Sequence, residues 1–153
     1  MTRARVCALA LAGALAVGGC GSSDSGSDSG GAPELKASGA YVPRPVMDDM
    51  AGGFLVVENE GGTADRLTRV TSDLSDTVEL HETVDRQMRQ VTSFPIPADG
   101  ELALSRGGKH LMFLDLARRP AEGDKVSVEL HFEKSDPIKL SVPVKATNYT
   151  PPK

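Results

Sequence analysis

Gly107-Gly108-Lys109-His110-Leu111-Met112-Phe113-Leu114 is the stretch whose reading decides the fold. A Gly-Gly turn leads into residues whose side chains alternate, with Leu111 and Phe113 on one face and His110 and Met112 on the other. That is the two-residue period of a β-strand. The apolar face belongs to a core, and the opposite face presents an imidazole and a thioether side by side.

A second stretch upstream has the same character. In Val78-Glu79-Leu80-His81 the apolar Val78 and Leu80 share one face, and His81 leaves on the other. If Val84-Asp85 is the turn of a hairpin, then 83 pairs with 86, 82 with 87 and His81 with Met88. Their Cβ atoms would then lie about 4.5–5.5 Å apart on one face. Two such same-face pairs, brought together by a sandwich, would offer two imidazoles and two thioethers. Thioethers favour Cu(I) while hard ions want carboxylates, so the expected ligand is Cu(I), with Cu(II) next. The candidate metal residues are His81, Met88, His110 and Met112, separated by six, twenty-one and one residues.

Outward from these stretches the chain reads as short strands with turn chemistry between them. Strands are expected near 35–42, 53–59, 65–72, 77–83, 86–93, 101–105, 110–116, 125–134 and 138–146, and no segment has a helical period. Glu60-Gly61-Gly62, Asp99-Gly100, Gly107-Gly108, Glu122-Gly123-Asp124 and Asp136-Pro137 supply turns. Many short strands at this spacing predict an all-β chain folded as a β-sandwich. In the strand from Val126 to Lys134, Val126, Val128, Leu130 and Phe132 face inward, which leaves the third histidine, His131, outward with no methionine beside it. It reads as a surface residue. Pro43 to Gly53 is less regular, and its Met47 and Met50 are either loop residues covering the sandwich or an auxiliary soft patch beside the metal. Asp48 and Asp49, as two adjacent carboxylates, make a weak hard-ion site.

The chain of 153 residues, 39% hydrophobic and 25% charged, has room for one domain. Arg3 and Arg5 precede an apolar run from Val6 to Val17 that is too short to span a bilayer. The run ending Val17-Gly18-Gly19-Cys20 looks like a bacterial lipobox. Residues 1–19 are expected to be a signal peptide and Cys20 the lipidated first residue, with ordinary secretion as the alternative. Residues 20–34, rich in Gly, Ser and Asp, read as a flexible tether to the outer face of the cell membrane. Residues 35–148 hold the domain, and 149–153 form a short tail. Cys7 would leave with the signal and Cys20 would be acylated, so the domain is expected to have no thiol. That excludes a CxxC redox protein and a blue-copper electron carrier, whose site needs a thiolate. Without the two signal arginines, 15 basic residues face 21 acidic ones, a poor surface for nucleic acid or anionic lipid.

The Met88-x21-His110-x-Met112 spacing, the run Val78-Glu79-Leu80-His81-Glu82-Thr83 and Gly107-Gly108-Lys109-His110-Leu111-Met112 resemble the PCuAC family of extracytoplasmic copper chaperones. The similarity continues through Glu122-Gly123-Asp124 and covers roughly residues 35–145. It implies a cupredoxin-like Greek-key fold. It also implies an acceptor, the dinuclear copper centre of cytochrome c oxidase carried by its subunit II. The family pattern usually has ten residues between the first His and the first Met, whereas this chain has six. Both gaps are even, so a shorter hairpin can keep the face, and Met88 is the ligand whose position depends on it. Some relatives in the family add a His- and Met-rich C-terminal tail. This chain ends Thr147-Asn148-Tyr149-Thr150-Pro151-Pro152-Lys153, so one copper per chain is expected.

Taken singly, each methionine reads more readily as a core gap-filler and each histidine as an ordinary strand or turn residue. Together, on faces that alternate away from apolar neighbours, they read as a metal site. Nothing provides a nucleophile elbow, a His-Glu-x-x-His helix or a phosphate-cradling loop, so the chain is not expected to be an enzyme. The expected role is capture and handover of Cu(I) by a lipid-anchored monomer. The competing class is a structural or non-metal binding lipoprotein that uses the sandwich as a scaffold.

Overall fold

Strand patterning dominates the chain because apolar and polar residues alternate from Leu35 onward. The computed structural model describes residues 31–152, among which no helix forms. The signal segment, Cys20 and most of the tether lie outside the described residues. Ten strands follow in order. They are β1 (Leu35–Pro43), β2 (Met50–Asn59), β3 (Asp65–Ser72), β4 (Thr77–Val84), β5 (Gln87–Val91), β6 (Phe94–Ile96), β7 (Gly100–Leu104), β8 (His110–Leu114), β9 (Lys125–Phe132) and β10 (Ile138–Lys145).

The strands run in the order β5-β4-β8-β2-β1-β10-β9-β3-β6, with β7 added alongside β2. The path turns over at β1, which pairs antiparallel with β2 and parallel with β10 through Val42↔Val144 and Pro43↔Lys145. One layer therefore carries β5, β4, β8 and β2, and the other carries β10, β9, β3 and β6. Leu111 and Phe113 of the first layer meet Val128 and Val142 of the second. The result is the expected all-β Greek-key sandwich, and its core is built from Leu, Val, Ile, Phe and Ala without a methionine.

Three differences from the expected strands have local causes. The strand expected at 86–93 is shorter, with β5 ending at Val91, and Phe94–Ile96 forms β6, a strand that was not expected and whose Pro95 has no N–H to give a ladder. It sits in β6 at the end of the sheet order, where only β3 pairs with it. Next, β2 starts at Met50 instead of Gly53 and takes in Gly52-Gly53. At Gly53 a Cβ would lie 2.7 Å from Phe113 Cε2, so the aromatic ring occupies the place of a side chain. Finally, the β4–β5 turn falls at Asp85-Arg86 and not at Val84-Asp85. Both residues of this two-residue loop take positive φ, 51° and 66°. That is the conformation whose twist suits a hairpin, and a β-branched Val84 adopts it poorly.

Asp65, buried at the start of β3, ties the layer to the loop after β9. Its carboxylate accepts from the Ser135 hydroxyl at 2.6 Å and from the backbone N–H groups of Arg66, Lys134 and Ser135 at 2.7, 3.0 and 3.0 Å. Burial pushes its pKa up, but these four donors outweigh burial and hold it below the ordinary carboxylate value. A depressed folded-state pKa stabilises the fold above the unfolded value of about 3.9, and that stabilisation is lost as pH falls through the folded value. Asp65→Asn is expected to cost about 1–3 kcal/mol at neutral pH, because an amide N–H₂ then faces donors. Urea melts of parent and variant should converge as the pH is lowered through that window.

Candidate metal centre

The strand β8 is held between β4 and β2, and this pairing fixes the position of two of the expected ligands. His110 pairs with His81 of β4, and Met112 pairs with Glu79 on one side and Gly52 on the other. Leu111 and Phe113 are fully buried in the core, so His110 and Met112 occupy the opposite face as the alternation required. The two imidazole rings lie 5.8 Å apart between centroids, and Phe54 lies 6.5 Å from His110.

Moving the turn changes the register of the β4–β5 hairpin. His81 faces Gln90, and Met88 faces Thr83, so the expected direct His81–Met88 pair does not form. The physical reason is the backbone: a loop centred on Asp85-Arg86 advances every partner by two residues. A shift of two preserves the face. His81, Thr83, Met88 and Gln90 therefore share one side, with Met88 diagonal to His81, a distance that long side chains still bridge. The six-residue gap keeps Met88 on the ligand face but places it nearer the turn.

Met88, His110 and Met112 line one hollow, whose floor is Gly52 and whose walls include Phe54 and Thr83. His81 is not part of its lining and stands behind His110 on β4. Met88 is 61% exposed, whereas His110 is only 6% exposed. The site therefore has a fixed inner side and an open outer side.

Hydrogen bonding sets the tautomers of both histidines. His110 Nδ1 lies 3.0 Å from the Gly108 carbonyl, which only accepts, so Nδ1 carries the proton and donates. Among the described residues no hydrogen bond reaches Nε2, which with Nδ1 as the donor is the nitrogen left with the lone pair. His81 is set the other way round. Its Nε2 donates to Glu79 Oε2 at 2.7 Å, and its Nδ1 is buried with no hydrogen-bond partner. A buried polar atom without a partner is costly, and a neutral imidazole nitrogen with its opposite N–H on a carboxylate is the usual arrangement of a metal-ligating histidine. The residues present fit a soft ion.

They do not fit a hard one. Among the described residues no three His, Cys, Asp or Glu side chains gather as a metal site. Asp48 is engaged by Arg119 Nη1 at 2.5 Å, so the Asp48-Asp49 pair is not a free carboxylate cluster. His131 lies on β9 in the other layer. Expected as a surface residue, it is more covered than that, with 18% of its side chain exposed, because Arg69 and Thr71 each approach a ring nitrogen at 3.3 Å. Sequence reasoning passed over Glu79, although it stands two residues before His81 and shares its face.

The family and the fold agree with this architecture. Residues 35–144 match the LpqE-like family model. A curated relative, "Putative lipoprotein Lxx21020" of Leifsonia xyli subsp. xyli (strain CTCB07), is 32% identical over 122 residues, which is 74% of each chain. Among solved structures, the copper-bound PCuAC domain from PmoF2 superposes with a TM-score of 0.66 at 21% identity, covering 76% of this chain and 97% of that one. The Cu(I) form of DR1885 from Deinococcus radiodurans does so with a TM-score of 0.62 at 23% identity, covering 74% and 78%. At such identities the likeness shows the fold. By sequence and architecture together, this chain belongs to the LpqE-like family and is built on the cupredoxin-like sandwich of PCuAC domains.

Proposed function

We propose that the chain is an extracytoplasmic copper chaperone that takes up one Cu(I) per chain through His81, Met88, His110 and Met112 and hands it to an acceptor. The observation that carries this reading is the pair of preset tautomers. Each imidazole has one nitrogen tied as a donor and the other bare, on a sheet face that also holds two thioethers. Four neutral ligands bind without losing a proton, and thioether sulfur selects Cu(I) over Zn, Mg or Ca. The open outer side suits exchange: Met88 reaches solvent and can yield its place to an acceptor ligand while His110 stays fixed.

Cys20 is proposed as the lipid-bearing residue and residues 20–34 as the tether, which would hold the monomeric domain at the outer face of the membrane. The proposed acceptor, from the family resemblance, is the copper centre in subunit II of cytochrome c oxidase. The role is binding and transfer, without catalysis.

An anaerobic Cu(I) titration against a chromophoric chelator tests the proposal. One equivalent held in competition with the chelator supports it, and no competition leaves the scaffold reading. Glu79 gives a sharper check, because it acts on the metal through His81. Glu79→Ala is expected to weaken Cu(I) about 10–100-fold. Glu79→Gln, whose amide oxygen still accepts from Nε2–H, should fall between parent and Ala variant. Equal affinity in all three would mean that His81 is not a ligand in the assigned tautomer.

A further inference from the structure

The chain has five methionines, and all four that follow Met1 line a single hollow. They arrive there from separate places: Met47 from the loop before β2, Met50 from the first position of β2, Met88 from β5 and Met112 from β8. None of them fills the core. Met47 is 53% exposed, Met50 and Met112 are half-buried, and Met88 is the most open. Gap-filling, the ordinary use of methionine, therefore explains none of the four.

This hollow adjoins the one at His110 and shares Gly52, Phe54, Met88, Arg106 and Met112 with it. Gly52 is the floor common to both. A Cβ there would meet the Phe54 ring at an ordinary 3.5 Å, so the absence of a larger side chain keeps the passage open and not the backbone legal. The loop that carries Met47 is also held in place. Arg119 Nη2 donates to the Pro45 and Val46 carbonyls at 3.3 Å, and the Thr147 hydroxyl donates to the Arg44 carbonyl at 3.0 Å.

We propose that Met47 and Met50 form a thioether station for a soft monovalent cation, beside the His/Met site and continuous with it, through which Cu(I) enters and leaves. The role of the station rests on the reading of the His/Met site as a copper site, although its binding does not. Arg44 and Arg106 also line the hollow. Their charge opposes any cation, a divalent one more than a monovalent one, so an ion that settles there does so by bonding to sulfur. Each step along the station is a ligand exchange. One thioether gives a lone pair to Cu(I), another ligand leaves, the copper stays Cu(I), and no proton moves. Polarisable and flexible methionine side chains suit such exchange.

The test uses the full chain in detergent micelles, labelled with 13C at the methionine ε-methyls, and titrated with Ag(I) as a soft monovalent probe. The first equivalent is expected to move the Met88 and Met112 methyl resonances, and further Ag(I) to move those of Met47 and Met50. Met47→Leu/Met50→Leu should keep the first event at unchanged affinity and lose the second. It should also slow transfer of Cu(I) to a chelator about tenfold, equivalent to about 1.4 kcal/mol of barrier. Met47→Leu alone alters a largely exposed residue and guards against a folding defect in the double variant. Met47 and Met50 resonances that never move, or transfer as fast as the parent's, would overturn the station. If they move with the first equivalent and Met88 and Met112 do not, the four-ligand reading of the main site fails while the station stands.

Discussion

His110→Ala is expected to lower Cu(I) affinity by more than about a hundredfold, exceeding the 10–100-fold that follows loss of a ligand's hydrogen-bond partner. Among the four proposed ligands His110 is the one whose position is most fully fixed. It is 6% exposed, lies on a strand paired on both sides, and has its Nδ1 tied to the Gly108 carbonyl. The neighbouring imidazole, His81, is itself one of the proposed ligands, so it is not left over to replace His110. The variant is expected to fold: it loses one hydrogen bond, worth about 1 kcal/mol, and the space left by the ring opens onto the hollow. A chelator competition run beside a thermal melt separates the two effects. Met88→Leu, at the exposed side of the site, should weaken binding less than His110→Ala does. An equal or larger loss for Met88→Leu would assign the anchoring role to the hairpin instead of β8.

Phe113→Ala is expected to cost about 3–5 kcal/mol of folding stability, the range for a buried phenylalanine. That is a large share of the 5–15 kcal/mol typical of a domain. Phe113 is fully buried, and its ring fills the place beside Gly53 where β2 offers no side chain. Collapse around the cavity is limited because the ring is bounded by both layers, with Leu111 beside it and Val128 and Val142 opposite. Phe113 is also the neighbour of Met112 on the other face of β8. The loss should therefore be recovered in part by Cu(I), since a ligand that binds only the folded chain raises its stability by mass action. Denaturant melts with and without Cu(I) measure both quantities, and a loss within about 0.5 kcal/mol, the size of a surface substitution, would contradict the packing described.

The sequence made the faces of the strands legible because a two-residue period is local. Leu111 and Phe113 against His110 and Met112, and Val126 to Leu130 in β9, could be assigned without knowing any partner strand. What depended on the backbone between strands was less accessible. Whether the hairpin turned at Val84-Asp85 or Asp85-Arg86 depended on which residues tolerate positive φ, and the β-branched Val84 excluded the first. Phe94–Ile96 was not expected as a strand, and its Pro95 is tolerated because β6 lies at the end of the sheet order. The irregular stretch Pro43 to Gly53 hid the start of β2, where Gly53 makes room for Phe113 and Gly52 forms the floor of the hollow. Glu79 carried a signal that could have been used, its i and i+2 relation to His81, but its bond to Nε2 and the bare Nδ1 are matters of rotamer. Met47 and Met50 left two readings open, and only the fold of the 44–49 loop brings them to the same hollow as Met88 and Met112.

The most direct measurement of the central claim is X-ray absorption at the copper edge of the anaerobically Cu(I)-loaded chain. The account predicts a copper shell of two nitrogen and two sulfur neighbours, with the sulfur scattering halved in Met112→Leu and the imidazole scattering reduced in His81→Ala. A shell of nitrogen and oxygen alone, unchanged by Met112→Leu, would contradict it.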